Sequence, residues 1–401
     1  MNKNTHNKVL LATWLGWLFD GLDSSLYPLV ANQALGELIG PQNIEFEKIA
    51  IQIVAVFLFG WSLGGFLFGY LGDRIGRAKA LSYSIIVYAI FTGLSGVSHT
   101  WQELAFFRFL SGLGIGGEWA LGVSLLAETV KSEKRIMSGA ILATGFPLGY
   151  CLAVIVNMLV NPFGWRIVFL TGILPALLVF FIRRNVDEPE IWKKLSKKIV
   201  NPLEVFDRKY LPRIFIGFLL GLTMSLGIWG SLMWFPIWIQ RELGGSLYQM
   251  TQATFIKLFA HAAGCYLTGY ILLRYKRRAL LILSYFFSFA FAFLMFSCFH
   301  SYNIGVVIFG AMLGFSYGFI PAAFTIYFPE LFPTRIRSTA EGFCYSTGRA
   351  VTALGVLFSG NLVQFFNGDI GRTASMMSIA FLIGAFVSLF APETNKEIPL
   401  E

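Results

Sequence analysis

The sequence predicts an all-α integral membrane protein: twelve transmembrane helices forming two pseudo-symmetric six-helix bundles. Three observations carry that prediction. The 401 residues are 56% hydrophobic and 13% charged, with 41 Phe and 10 Trp, too apolar a composition for a soluble globule. Apolar runs near the ~20 residues that a helix needs to cross ~30 Å of hydrocarbon fall at about 9–35, 48–72, 79–98, 102–129, 136–160, 166–183, 211–240, 249–273, 279–299, 304–328, 338–362 and 372–391. The punctuation between runs also recurs at an offset of about 200 residues. Gly69 to Lys79 follows helix 2 and a degenerate Gly269 to Arg278 follows helix 8; Pro189-Glu190 closes helix 6 and Pro392-Glu393 closes helix 12.

The longest polar interval divides the repeat. It predicts a bundle over 1–183, a linker over 184–210, and a second bundle over 211–401 ending in a short tail. A parallel repeat of this kind places a substrate site between the halves near the bilayer midplane, with access alternating as the halves rock.

Charge orients the helices, because Lys and Arg are retained on the cytoplasmic side. With both termini cytoplasmic, all but seven of the 31 basic residues fall in cytoplasmic segments. Lys48, Arg166, Arg241 and Arg372 lie outside, and Arg108, Lys257 and Arg349 lie within helices. The net charge of +9 is therefore a topology signal, and nucleic acid is not expected as a partner. The basic stretch from Arg183 through Lys193, Lys194, Lys197, Lys198, Arg208 and Lys209 is expected to lie against anionic lipid headgroups.

Met1 to Lys8 lead into a full-length helix rather than a short cleavable segment, so helix 1 is expected to stay. It carries Asp20, Asp23 and Tyr27, spaced three and four apart and therefore on one stripe. A charge at membrane depth is costly and marks an aqueous cavity or a proton or substrate pathway. The cation chosen as partner is Arg108 of helix 4, and the pair reads either as a protonation switch or as a permanent ion pair. Spacing leaves open which aspartate titrates; Asp23, one turn deeper, is favoured. Glu118, also in helix 4, reads as a second proton site or as the charge that neutralises Arg349.

Arg349 lies about a third of the way along helix 11, and its planar fork suits a carboxylate. It reads as the substrate anchor, or as a partner of Glu118 or of a helix 1 aspartate. In helix 8, Lys257 and His261 are four apart on one face, as anion-binding or coupling residues or as packing residues. In helix 7, Trp229 and Trp234 flank the cavity or anchor the helix at the interface. Tyr27, Tyr317 and Tyr345 complete the expected lining. Glycines 112, 114, 116 and 117 read as packing devices. Cys151, Cys265, Cys298 and Cys344 lack ligand spacing, so neither a disulfide nor a metal site is expected.

Between helices 2 and 3, Gly69-x-x-Gly72-Asp73-Arg74-x-Gly76-Arg77-x-Lys79 resembles the signature loop of the major facilitator superfamily. Arg108-Phe-Leu-Ser-Gly-Leu-Gly-Ile-Gly-Gly-Glu118-Trp, Glu330-Leu-Phe-Pro-Thr-Arg-Ile-Arg337, Tyr345-Ser-Thr-Gly-Arg349 and Pro392-Glu-Thr-Asn-Lys-Glu narrow the likeness. With Phe19-Asp20-Gly-Leu-Asp23, they resemble metabolite:proton symporters for sialate, aromatic acids and lactate, and the wider sugar porters. Helix 5 matches only part of the glycine-proline signature of drug/proton antiporters.

The resemblance implies that helix 11 lines the cavity, and that Asp73 meets the start of helix 11 and nearby arginines, closing the cytoplasmic side. Arg74 and Arg77 are read as gating residues with it. Glu128 with Arg135, and Glu330 with Arg337, each seven apart, are expected to make similar charge-assisted contacts across the halves. Leu272 and Leu273 stand where the first half has Gly72 and Asp73, so any equivalent lock there is expected to be weaker.

The expected activity is proton-coupled symport of a small organic anion by a functional monomer in the bacterial inner membrane, without a cofactor beyond the proton. A neutral-metabolite symporter, a proton-driven exporter and a non-transporting membrane sensor are the alternatives. An enzyme is disfavoured, since no nucleophile-base set, phosphate-cradling loop or metal cluster is legible.

Overall fold

The computed structural model describes residues 3–195, 201–394 and 399, and every regular element in them is a helix. The first half contains α1 (Lys3–Ile39), α2 (Phe46–Ile75), α3 (Arg77–Ser95), α4 (Trp101–Thr129), the broken pair α5 (Ser132–Ala143) and α6 (Gly145–Val160), and the pair α7 (Trp165–Leu170) and α8 (Ala176–Asn185). A short α9 (Glu190–Leu195) and a 3₁₀ turn at Pro202–Phe206 lie between the halves. The second half contains the broken pair α10 (Leu211–Gly230) and α11 (Phe235–Arg241), then α12 (Leu247–Arg274), α13 (Arg277–Cys298) and α14 (Ile304–Leu331). It closes with the pairs α15 (Arg337–Ser346) and α16 (Gly348–Phe365), and α17 (Ile370–Met377) and α18 (Ile379–Ser388).

Taking each broken pair as one rod gives twelve rods. Among the described residues, nine helical stretches are long and apolar enough to cross a bilayer. The three expected spans outside that count are α1, which carries Asp20 and Asp23, the α7–α8 segment, whose apolar part runs only from Trp165 to Leu178, and α15–α16, which is interrupted at Thr347.

The breaks have local causes. Pro147 has no N–H to give to Ala143, and the helix resets at Thr144. Pro236 stands in the first turn of α11, where its missing donor costs nothing, and the 3₁₀ turn Leu232–Trp234 precedes it. Both kinks fall where the halves face each other.

Small residues set the closest approaches. A Cβ on Gly116 of α4 would lie 2.2 Å from the Trp61 carbonyl oxygen of α2, so only glycine permits this spacing. Across the halves, a Cβ on Gly342 of α15 would lie 1.9 Å from the carbonyl oxygen of Gly65 of α2. The halves meet along α2 with α15 and α16, along α5 and α6 with α12, and where α14 reaches α5.

One face carries the start of α1, the linker and residues 391–394; it is called the linker face below. The linker is fastened to both halves there. The ring of Phe206 lies 6.4 Å from Phe66 of α2 and 5.1 Å from Phe343 of α15, and Glu204 pairs with Arg335. Arg208 and Lys209 of the basic stretch are exposed. Lys197 and Lys198, and Asn395, Lys396 and Glu397 of the tail motif, lie outside the described residues.

Gly116→Val forces side-chain atoms into a backbone contact that cannot yield, and overpacking of this kind costs about 1–3 kcal/mol. Thermal unfolding of the purified variant in detergent is expected to show a Tm several degrees below the wild type; an unchanged Tm would contradict the close-packed α2–α4 seam.

Candidate functional site

A narrow cleft opens between the halves. From the first half it is lined by Trp17, Ser24 and Ser25 of α1, Trp61 of α2, and Phe146 and Tyr150 of α6. From the second half come Trp229, Met233, His261, Tyr317, Tyr345 and Arg349. Aromatic rings dominate the walls. The two serine hydroxyls donate to their own helix, Ser24 to the Asp20 carbonyl and Ser25 to the Gly21 carbonyl, each at 2.7 Å.

Arg349 is the cation at this cleft. Its guanidinium lies over the rings of Trp61 and Tyr345, 4.4 Å from each centroid, and its Nη1 donates to the Tyr345 carbonyl at 2.6 Å. Tyr345 is itself stacked on Trp119 at 3.7 Å. Its Nε is buried without a hydrogen-bond partner, and among the described residues no carboxylate lies within ion-pair distance of it. The expected alternative, a salt bridge to Glu118 or to a helix 1 aspartate, is not formed. A buried guanidinium held by π-faces and one carbonyl retains donors for an anion.

The lining residues read from helices 1, 7, 8, 10 and 11 divide. Trp229, His261, Tyr317 and Tyr345 line the cleft, whereas Trp234, Lys257 and Tyr27 do not. Trp234 belongs to the 3₁₀ turn and packs on the surrounding core. Lys257 is buried with its ammonium 4.5 Å from the Phe235 ring centroid and 3.4 Å from the Leu232 carbonyl it donates to, so it clasps the α10–α11 break. Tyr27 donates to the Ala50 carbonyl of α2 at 3.3 Å within a separate apolar cluster. His261 sits edge-on to Tyr317 at 5.0 Å, its Nε2 without a partner.

The two aspartates of α1 occupy different environments. Asp23 is the one that meets Arg108: Nη1 lies 3.1 Å from Oδ1, and Nη2 donates to the Asp23 carbonyl at 3.2 Å. Thr92 donates to Oδ1 at 2.5 Å and Ser111 to Oδ2 at 2.8 Å, while Phe57 covers the guanidinium at 4.5 Å. This is a satisfied buried pair.

Asp20, one turn earlier, has no such partner. Both of its oxygens and both of Glu118's are buried without a hydrogen-bond partner, the two carboxyls are neighbours, and the Tyr88 hydroxyl stands beside Glu118. Gly16 makes the room, because a Cβ there would lie 1.8 Å from Glu118 Oε1. Arg349 is the cation whose charge acts on Asp20.

On the linker face the halves are sealed by ion pairs. Asp73 accepts from the backbone N–H groups of Ser338 and Thr339 at 3.1 and 2.8 Å, and from the Thr339 hydroxyl at 2.5 Å; Arg77 lies 3.0 Å away. The other contacts differ from the sequence expectation. Glu128 pairs with Arg77 at 3.0 Å and with Arg337 at 2.7 Å rather than with Arg135, and Glu330 pairs with Arg277 at 2.8 Å rather than with Arg337. Arg74 points to solvent, its Nη1 3.5 Å from the Tyr70 hydroxyl. Glu128–Arg337 is thus the pair that crosses the halves on this face, while Arg241 and Glu47 approach across them at 3.9 Å elsewhere.

The second-half loop repeats only the part of this lock that lies within one half. Arg277 donates to the Leu272 carbonyl at 3.0 Å, as Arg77 does to Gly72 at 2.9 Å. Glu393 accepts from the Arg277 N–H, as Glu188 does from Ala78 and Lys79. Losing the Asp73 counterpart removes the hold on the other half and leaves the lock within its own half intact.

Sequence reasoning missed Trp17, Trp61 and Arg277. Trp17 shares the helical stripe of Asp20 and Ser24, three and seven residues on, which is the signal that marks it.

Two overlapping stretches of the chain, residues 9–297 and 217–400, match the Major Facilitator Superfamily. A probable 4-methylmuconolactone transporter of Cupriavidus pinatubonensis is 30% identical over 97% of this chain and 91% of its own. A cis,cis-muconate transport protein of Acinetobacter baylyi is 27% identical over 99% and 97%. Among solved structures, a proton:xylose symporter superposes with a TM-score of 0.85 over 100% of this chain and 99% of that one, at 19% identity, which speaks for the fold alone.

Removing one partner of a buried ion pair strands the other and costs about 3–5 kcal/mol. Arg108→Met and Asp23→Leu are each expected to lower stability by that order, and the double variant to recover part of the loss. Thermal unfolding of the three proteins checks this; losses that simply add would contradict the pairing.

Proposed function

The chain belongs to the Major Facilitator Superfamily and is a multi-pass membrane transporter, and on that premise we propose that it carries a small organic anion into the cell together with a proton, by alternating access. The observation that carries this reading is one uncommitted cation at the cleft, Arg349, acting on one uncommitted acid pair, Asp20 and Glu118, buried behind the cleft wall.

The anion is anchored by Arg349, whose Nε has no hydrogen-bond partner and which has no carboxylate within ion-pair distance among the described residues. The cleft favours a planar, unsaturated carboxylate. Trp17, Trp61, Phe146 and Tyr345 offer ring faces, and the serines are already engaged within α1, so a polyhydroxylated sugar finds few free partners there. The relatives named for muconolactone and muconate transport point to the same chemistry.

The proton resides on the Asp20–Glu118 pair. Two adjacent carboxyls without hydrogen-bond partners cannot both be ionised at acceptable cost in a buried site. Arg349, when free, opposes protonation of Asp20; a substrate carboxylate bound to Arg349 cancels that charge. Anion and proton therefore assist each other's binding, which is the linkage that symport requires. Asp23, committed to Arg108, Thr92 and Ser111, serves as the fixed brace of this site, so the favoured proton site moves from Asp23 to its neighbour. One proton with one monovalent anion moves no net charge.

The linker face is cytoplasmic in this reading, since the basic residues concentrate there. The sealed ion pairs then describe a carrier closed to the cytoplasm, with protein and lipid surroundings and a carboxylate metabolite as its partners.

Thermal-shift screening of carboxylates, with cis,cis-muconate and benzoate as first probes, followed by uptake into proteoliposomes with and without an inward proton gradient, tests the proposal. Arg349→Ala is expected to weaken binding about 10- to 100-fold, the value of a charged hydrogen bond, and Asp20→Asn to abolish gradient-driven accumulation while retaining exchange. Unaltered accumulation by Asp20→Asn and Glu118→Gln alike would overturn the coupling site.

A further inference from the structure

Glu341 is a buried carboxyl that neither the cleft nor the acid pair uses. It stands one turn into α15 on the seam between the halves, and it is 0% exposed. Its Oε2 accepts from the Ser124 hydroxyl of α4 at 2.7 Å; its Oε1 has no partner.

The ionisable groups facing it are Arg337 and Cys344 of its own helix, Glu128 of α4 and Asp73 of α2, with Arg77 one shell beyond, bound to Glu128 and Asp73. Arg135 of α5 acts on Arg337 and Glu330 but not on Glu341 itself, and the other nearby charges are engaged elsewhere. Glu330 is closed on Arg277, Arg213 of α10 donates to the Leu331 carbonyl, and Glu204 of the linker is taken by Arg335.

The sealed chamber thus holds two guanidinium groups against three carboxyls. Asp73 and Glu128 are matched by Arg77 and Arg337. Glu341 is the third, and it has only a hydroxyl from the opposite half. Charge balance in this buried chamber is met when Glu341 carries a proton. Parting the halves removes Ser124 and admits water, in which the carboxylate is stable.

We propose that Glu341 is a proton-binding site of the linker-face seal, occupied when the halves are closed and emptied to the solvent on that face when they part. Closing then draws a proton from that compartment. Acid on the linker face holds the seal shut, and with that face cytoplasmic, as in the reading above, an acidified cytoplasm retains the carrier in its outward-accessible state. This opposes further proton-driven import. The site depends on the Ser124–Glu341 geometry and not on which solute is carried.

The test uses the full chain in nanodiscs without substrate, with Cys298→Ser and spin labels at Lys131→Cys and Lys276→Cys, exposed positions on the linker face of the two halves. The distance between labels is followed from about pH 5.5 to about pH 8.5. One linked proton changes the closed-to-open ratio by up to about tenfold per pH unit. The wild type is expected to open as pH rises, and Glu341→Gln to stay closed throughout. Should the Gln variant fail to assemble, Glu341→Ala is read in its place, with loss of the pH response expected. A variant that follows the wild-type curve, or a wild type with no pH response, overturns the proposal. Asp20→Asn is expected to keep the response; its loss there would move the proton to the acid pair and likewise overturn the site.

Discussion

Burying charge away from water is the constraint on which this molecule depends. An isolated ion in a low-dielectric interior costs several kcal/mol, so each buried ionisable side chain must find a partner, hold or shed a proton, or await a ligand. Arg108 with Asp23, Arg277 with Glu330, and Glu128 between Arg77 and Arg337 take the first course. Arg349, the Asp20–Glu118 pair and Glu341 do not. Arg349 and Glu341 lie where the halves meet, the Asp20–Glu118 pair lies within reach of Arg349's charge, and these are the groups assigned to substrate and protons.

The same constraint explains how closure is stabilised without blocking motion. The pairs within each half, Arg77–Glu128 and Arg277–Glu330, are related by the repeat and hold their own bundles. The contacts that cross the seam, Glu128 to Arg337 and Asp73 to the first N–H groups of α15, lack a counterpart in the second-half loop, where Leu273 replaces the aspartate. Water entering the seam rehydrates those charges, so the halves separate without breaking either bundle.

Much of the fold was legible because apolar run length is a direct physical requirement of spanning a bilayer. The breaks at Thr144, Ser231 and Thr347 were harder to place, since they come from a proline or from packing between helices rather than from hydropathy. Arg349, His261, Tyr317 and Tyr345 could be read as cleft residues because polar groups in apolar runs need a polar neighbour. The pairing of Arg108 with Asp23 rather than Asp20 was not legible, because residues three apart share a stripe. Nor was the exchange that gives Glu128 to Arg337, for the seven-residue spacing repeated in each half suggested partners within that spacing. Trp17 and Trp61 were hidden among 41 Phe, 15 Tyr and the other tryptophans, where an aromatic carries no signal by itself.

The central claim is that anion binding at Arg349 and proton binding at Asp20–Glu118 are one linked event. Its most direct test is the pH change of a weakly buffered solution of purified protein on addition of a binding carboxylate, such as cis,cis-muconate. The account requires proton uptake by the wild type that vanishes in the Asp20→Asn, Glu118→Gln double variant under conditions where the carboxylate still binds. Saturating binding to the wild type with no proton taken up would contradict it.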